Sequence, residues 1–258
     1  MRKILPIVIF LICFGCRKSN TDLTPFKLDN PSIIKMYCNL SPTSEMSRIE
    51  NTYSNDNLVN TAYYIQNEKQ SEVKYDYDSD NRLTHENTRS KYNRTEKEYQ
   101  YDTENHLINI QYTFLTYDDA GNELNKSTVD TPLEYQQGKL IKAWESWGGY
   151  STYTYENNQI DTKIDYTGTG TKHHITSYNY DGALVKKEKK VTAEGHLIYE
   201  RAFQYDFKNR LVKIIENGEI VEENTYRDSQ LIEKRTYYFG IDPGFSPCLG
   251  NYIYKYAY

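Results

Sequence analysis

Several stretches of this chain carry residue types that perform chemistry in other settings, and most fall short of what that chemistry needs. Asp76, Asp78 and Asp80 alternate as the first ligands of a calcium loop do. However, the twelfth position is Asn87 where a bidentate Glu is required, the sixth is Asn81 where Gly is required, and the flanks read as strands. The spacing predicts a hydrogen-bonded hairpin turn. His173 and His174 suggest a metal pair, but neighbours on a strand point to opposite faces and cannot share an ion. Gly168-Thr169-Gly170 lacks the Lys-Ser/Thr and the following helix of a phosphate loop and reads as a flexible hairpin tip. Trp144, Trp147 and Tyr150 stand apart, close together around Gly148-Gly149. Such rings can stack on a sugar or insert into a partner, or else pack locally on a thin sheet. The chain contains no Gly-x-Ser-x-Gly elbow and no evident nucleophile and base set. The expectation is a non-enzymatic protein without metal or cofactor, with Trp144, Trp147 and Tyr150 as its binding candidates.

The elements that must position these residues come from a repeat. Its full version is Tyr-x-Tyr-Asp, two or three residues, Asn or Gly, one residue, then Leu. Tyr75 to Leu83, Tyr99 to Leu107 and Phe203 to Leu211 are copies, and Tyr117 to Leu124 is a lengthened one. Shorter copies run Tyr53 to Leu58, Tyr135 to Leu140, Tyr155 to Ile160 and Tyr226 to Leu231. Alternating Tyr, Thr, Ile and Val on either side give period two and strong β-propensity. The Asp can hydrogen-bond its own turn, and Asn or Gly tolerates the left-handed conformation that reverses the chain. Each unit is therefore a β-hairpin, and the series predicts an all-β antiparallel meander of about 15 to 18 strands, an extended, twisted or spiralling sheet. His106 and His196 occupy the turn flank filled by Arg82 and Arg210 in other copies. Alternation splits the lysines of Lys186 to Lys190 between two faces. Only residues 31–50 show a helical possibility, with Ile33, Ile34 and Tyr37 on one side.

Composition narrows the class further. Hydrophobic residues make up 38% of the chain, and 27 residues are Tyr. The aliphatic core must be thin, yet so many aromatics exclude disorder. A tyrosine ring can pack on a neighbour while its hydroxyl meets solvent. The formal charge is −5, which argues against nucleic acid as a partner.

The order Tyr-Asp, Asn or Gly, Arg-Leu, best preserved at Asn81-Arg82-Leu83 and Asn209-Arg210-Leu211, resembles the YD repeat, also called the RHS repeat, of large bacterial surface and toxin-delivery proteins. In that family the repeats build a sheet wound into a shell around a toxic cargo, for which this chain is short. Asp242-Pro243 is similar to the family's Asp-Pro cleavage region, but no second Asp-Pro follows and self-cleavage is not expected. The shorter copies also resemble MORN-like hairpin repeats.

The first residues speak to location. Arg2 and Lys3 precede an apolar run from Ile4 to Phe14 that is too short to span a bilayer. It ends in Gly15-Cys16, which resembles a bacterial lipobox. Residues 1–15 are expected to be a signal peptide, Cys16 the lipidated residue, 16–30 a tether and 31–258 the β domain. By the same resemblance, Arg17 after the Cys implies sorting to the outer membrane. Cys38 and Cys248 remain for one disulfide or for two separate thiols. The leading functional expectation is a lipid-anchored envelope protein whose sheet is a binding or assembly surface for an envelope protein or glycan. The alternative is an immunity or antitoxin-like lipoprotein that binds a toxin.

Overall fold

The computed structural model describes residues 31–38, 41–237 and 252–258. The expected signal segment, Cys16 with its tether, and the Cys38–Cys248 pairing lie outside what those residues define. Eighteen strands follow one another: β1 (Ile33–Cys38), β2 (Ser41–Ser54), β3 (Asn57–Ile65), β4 (Glu68–Tyr77), β5 (Leu83–Ser90), β6 (Asn93–Tyr101), β7 (Leu107–Tyr117), β8 (Glu123–Gln136), β9 (Lys139–Trp144), β10 (Tyr150–Glu156), β11 (Gln159–Tyr166), β12 (Lys172–Asp181), β13 (Leu184–Thr192), β14 (Leu197–Tyr205), β15 (Leu211–Glu216), β16 (Glu219–Arg227), β17 (Gln230–Thr236) and β18 (Tyr252–Ala257). Each pairs antiparallel with the next, and β1 pairs with β18 in the register Ile33↔Ala257 to Cys38↔Tyr252. The meander closes into a barrel, and the spiral alternative is replaced by closure. Residues 33–38 and 41–54 are strands that seal this seam. The helical reading of residues 31–50 fails because residues 33–38 pair in ladders with β18 and β2, and residues 47–50 with β1 and β3.

The alternation of β-strands sorts side chains into two walls. One face carries Tyr99, Tyr101, Tyr153, Tyr155, Tyr178, Tyr180, Tyr254 and Tyr256, related by cross-strand pairs such as Tyr75↔Glu86, Glu86↔Lys97 and Lys97↔Tyr112. Burial raises the phenol pKa values of Tyr99, Tyr153, Tyr178 and Tyr256, so this is the concave, inward face. The other face carries Lys74 and Asp76 on β4, Glu98 and Gln100 on β6, Glu134 on β8 and Lys187 on β13. A lysine there would cost about 2–4 kcal/mol in the middle of a bilayer and a carboxylate less, so the outer wall suits water. A ring of 18 strands is too wide for side chains to fill. Accordingly, the apolar residues buried beyond nine-tenths are only Ala62, Leu115 and Ile253 among the described residues.

All the copies but Tyr117 to Leu124, which turns at the other end, reverse the chain at one end of the barrel. In three copies the turn has one geometry: Asp78 N–H donates to the Arg82 carbonyl at 3.0 Å, and Asn81 N–H donates to the Asp78 carbonyl at 3.1 Å. Asp78 Oδ1 accepts from the N–H groups of Asp80 and Arg82, and Oδ2 accepts from Arg82 Nε at 2.7 Å. Asp206 repeats this with Lys208 and Arg210, and Asp102 with Glu104 and His106. Asn81, Asn105 and Asn209 sit at φ of 59°, 67° and 60°, the left-handed region that Asn tolerates better than most residues.

At most of the copies a tyrosine hydroxyl bridges neighbouring hairpins. The β5–β6 ladder stops at His85↔Glu98, and beyond it Tyr101 Oη donates to the Leu83 carbonyl at 2.9 Å. Tyr77 does the same to Leu58, Tyr155 to Leu140, Tyr180 to Ile160, Tyr205 to Val185, Tyr226 to Leu211 and Tyr258 to Leu231. The expectation that these hydroxyls point to solvent is corrected. Each satisfies a carbonyl that the sheet leaves open where hairpins splay.

Candidate functional site

The other end of the barrel holds the residues singled out for binding. Lys142, Trp144, Tyr150 and Tyr166 lie on the outer face, and the register lines up Trp144↔Tyr150↔Tyr166↔Lys172 as one rung across β9 to β12. Tyr150 and Tyr166 stack with centroids 4.7 Å apart, and Trp144 is tilted against Tyr150 at 6.0 Å. The Lys142 ammonium lies 3.7 Å from the Trp144 centroid and 4.4 Å from that of Tyr150. Trp147 does not join the rung. It rides on the turn above, 64% exposed.

Glycine makes that placement possible. A Cβ on Gly149 would lie 1.9 Å from Cη2 of Trp147 and 2.6 Å from the Tyr166 carbonyl oxygen. The indole therefore rests on bare backbone beside Tyr166. The next turn runs Thr167 to Thr171, with its hydroxyls in a chain, Thr167 to Thr169 at 2.9 Å and Thr169 to Thr171 at 3.3 Å. The two turns touch through glycines, since a Cβ on Gly168 would come within 3.0 Å of the Gly148 carbonyl oxygen. The result is a platform of rings bordered by hydroxyls. Trp144 and Tyr150 are brought together, and Tyr166, Lys142 and Lys172 join them. They join through strand pairing, which the local spacing of the tryptophans does not encode.

Behind this platform, on the inner face of the same strands, lies a polar cluster that no local motif in the sequence marks. Asp165 accepts a hydrogen bond from Ser151 Oγ at 2.8 Å and lies 3.0 Å from Lys163 Nζ and 3.4 Å from Lys190 Nζ. His174 Nδ1 is 4.0 Å away. Burial opposes both charges of the central pair, yet mutual attraction holds Lys163 above and Asp165 below their ordinary values. Burial pushes Glu145 up. Ser, Asp and His occur together here in the wrong order for nucleophilic catalysis. The hydroxyl is given to the carboxylate and not to an imidazole, and Ser151 is only 2% exposed. The cluster ties β10, β11, β12 and β13 together.

The remaining candidates resolve into structure. The rings of His173 and His174 stack at 3.6 Å, which corrects the expectation of opposite faces. The β11–β12 ladder shifts register between Asp165 and Tyr166, so His173 falls out of alternation. His106 stacks on Tyr135 at 4.8 Å, at the one junction in this series where a histidine ring takes over from the hydroxyl bridge. The described residues contain no grouping of three or more His, Cys, Asp or Glu able to hold a metal ion.

No family model matches the chain, and no curated protein matches it. Among solved structures it is similar to the crystal structure of TcdB2-TccC3-Cdc42, at 13% identity and a TM-score of 0.29, over 76% of this chain and 12% of that one. It thus spans about an eighth of that protein's length. It is also similar to a porin-like protein from Bacteroides uniformis, at 11% identity and a TM-score of 0.38, over 88% of this chain and 97% of that one. A porin-like protein from Bacteroides vulgatus matches at 8% identity and a TM-score of 0.35, over 88% and 98%.

Proposed function

We propose that this protein is a short YD-repeat lipoprotein of the bacterial envelope, non-enzymatic, whose barrel presents a binding surface at the end away from its anchor. One observation carries the reading: the chain enters β1 at the end of the tyrosine bridges, where Ile33 pairs with Ala257, while the ring platform sits at the opposite end. A lipid on Cys16, joined through residues 17–30, would hold the bridged end toward the membrane and turn Trp147 outward. The YD-repeat reading is supported by the recurrence of one turn and one hydroxyl bridge at the copies. A water-facing outer wall suits a tethered domain better than an embedded one.

Two measurements test it. Cys16→Ser should abolish acyl labelling and release the protein from membranes, and unchanged labelling would end the anchoring proposal. A photo-crosslinking residue placed at 147 in living cells should capture a protein or glycan partner, whereas one at Phe207, 90% exposed at the bridged end, should not. Equal capture from both positions would remove the polarity on which the reading depends.

A further inference from the structure

We infer that the platform at the end of β9 to β12 is a binding site for an acidic polysaccharide, with a sugar ring stacked on the exposed indole of Trp147 and the carboxylates or sulfates of different sugar units held by Lys142 and Lys172. This deepens the binding reading above and rests on it.

Three features select that ligand. Aromatic faces carry a negative quadrupole that attracts the weakly positive C–H face of a pyranose, and the exposed indole of Trp147 offers such a face without a side chain lying beneath it, because Gly149 has none. Sugars also need hydroxyl partners at the ring's edge. Thr167, Thr169 and Thr171 supply a chain of them in the adjoining turn, and that turn comes close to Tyr150, since a Cβ on Gly170 would lie 3.8 Å from the Tyr150 Oη. Charge makes the third selection. In a chain of net charge −5, the platform is flanked by two lysines that close no ion pair among the described residues, Glu134 being the cross-strand neighbour of Lys142. Lys142 lies over Trp144 and Tyr150, and Lys172 is the cross-strand partner of Tyr166. An ammonium against a carboxylate or sulfate makes a charge-assisted bond. A neutral glycan would leave both lysines without an anionic partner.

The test uses the purified barrel with size-matched oligogalacturonates, sulfated dextran oligomers and neutral galacto-oligosaccharides, read by calorimetry and by tryptophan fluorescence. The expected result is binding of at least one acidic series at least tenfold tighter than the neutral one, with quenching of indole emission. Trp147→Ala should weaken it at least tenfold. Gly149→Ala, which displaces the indole without removing it, should do nearly the same, and Lys142→Gln with Lys172→Gln should erase the preference for acidic sugars. Phe207→Ala should change nothing. No binding of any acidic oligomer, or equal binding of neutral ones, would overturn the inference, as would binding that tracks charge alone and ignores Trp147→Ala. If crosslinking at position 147 captures a protein while no oligosaccharide binds, the binding end stands and the polysaccharide falls.

Discussion

Several turns at both ends of this barrel share one five-residue frame and, apart from Asp118–Asn122, which carries an Asp at the far end too, dress it differently. At the bridged end the frame begins with Asp78, Asp102 or Asp206, reverses at an Asn, and closes with Arg82, His106 or Arg210 bonded back to the Asp. At the far end the loops 145–149, 167–171 and 192–196 show the same backbone bonds, for example Gly148 N–H to the Glu145 carbonyl at 2.9 Å, but reverse at Gly148, Gly170 and Gly195. Where the first residue is Asp and the last is Arg or His, the turn's side chains are consumed by the turn. Where they are Glu or Thr and Gly, Thr or His, side chains such as Trp147 are left to face outward. The fold requires the frame alone, so the residues beyond it are free to specialise at one end.

The largest effect should come from breaking the bridged end. Tyr101→Ala removes a partly buried ring together with the hydroxyl on Leu83, and should cost about 3 kcal/mol. Tyr101→Phe keeps the ring and should cost about 1 kcal/mol, since the Leu83 carbonyl loses its donor. Trp147→Ala at the other end should stay within about 0.5 kcal/mol. Chemical denaturation of the three variants measures the contrast, and a Trp147 loss as large as that of Tyr101 would abolish it.

The division between ends applies to the turns and the outer wall, and the inner wall should not obey it. Asp165→Ala leaves Lys163, Lys190 and the Ser151 hydroxyl without their shared acceptor. Buried pairs broken on one side lose about 3–5 kcal/mol, and this half-buried one should lose about 2 kcal/mol. Asp165→Asn, which keeps an acceptor oxygen, should lose less. If Asp165→Ala melts like the parent while Ser151 or Lys163 variants lose a ligand, the cluster is a site and its role in tying strands is secondary. A smaller loss, about 1 kcal/mol, is expected for Asn209→Ala, because Ala at a φ of 60° is strained; Asn209→Gly should restore the melt.

How far the sequence reveals these features depends on the range of the interactions involved. The Asp78 turn is legible because every bond it makes lies within five residues, so residue types at fixed offsets state it in full. The partner of the Tyr101 hydroxyl is 18 residues away across a gap between hairpins. Its position depends on where a ladder stops, which no local pattern records. Closure is harder still. Ile33 and Ala257 meet only after the whole meander has curled, and residues 31–50 lack the Tyr-Asp signal that marks the other hairpins. Lys163 and Asp165 could be placed on one face from alternation, but only the barrel's curvature makes that face the inner one. His173 departs from alternation because of a register shift whose cause is the pairing itself.

Acid supplies the finest comparison, with the far-end Asp118, lowered by the Asn122 amide, behaving like the bridged end. At the bridged end the N–H and guanidinium of Arg82 hold Asp78 below its ordinary value of 3.8. Burial works against Asp206, but the Arg210 guanidinium and the loop N–H groups outweigh it and lower its pKa too. A carboxyl lowered by folding contributes stability that is fully present above its unfolded pKa and is lost as pH falls through the folded one. These turns should therefore hold at pH 5 and loosen below about pH 4. Glu145, which opens a turn at the far end, is raised above 4.5 by burial. Its charged form is disfavoured in the fold, so protonation there relieves a cost as pH falls. The Thr167 turn has no carboxyl and should not respond. Carboxyl-resolved NMR titration checks this directly: Asp78 and Asp206 should titrate below 3.8 and Glu145 above 4.5. If Asp78 titrates at its ordinary value, Arg82 is not bonded back in solution. The bridged end would then be as open as the end that carries Trp147.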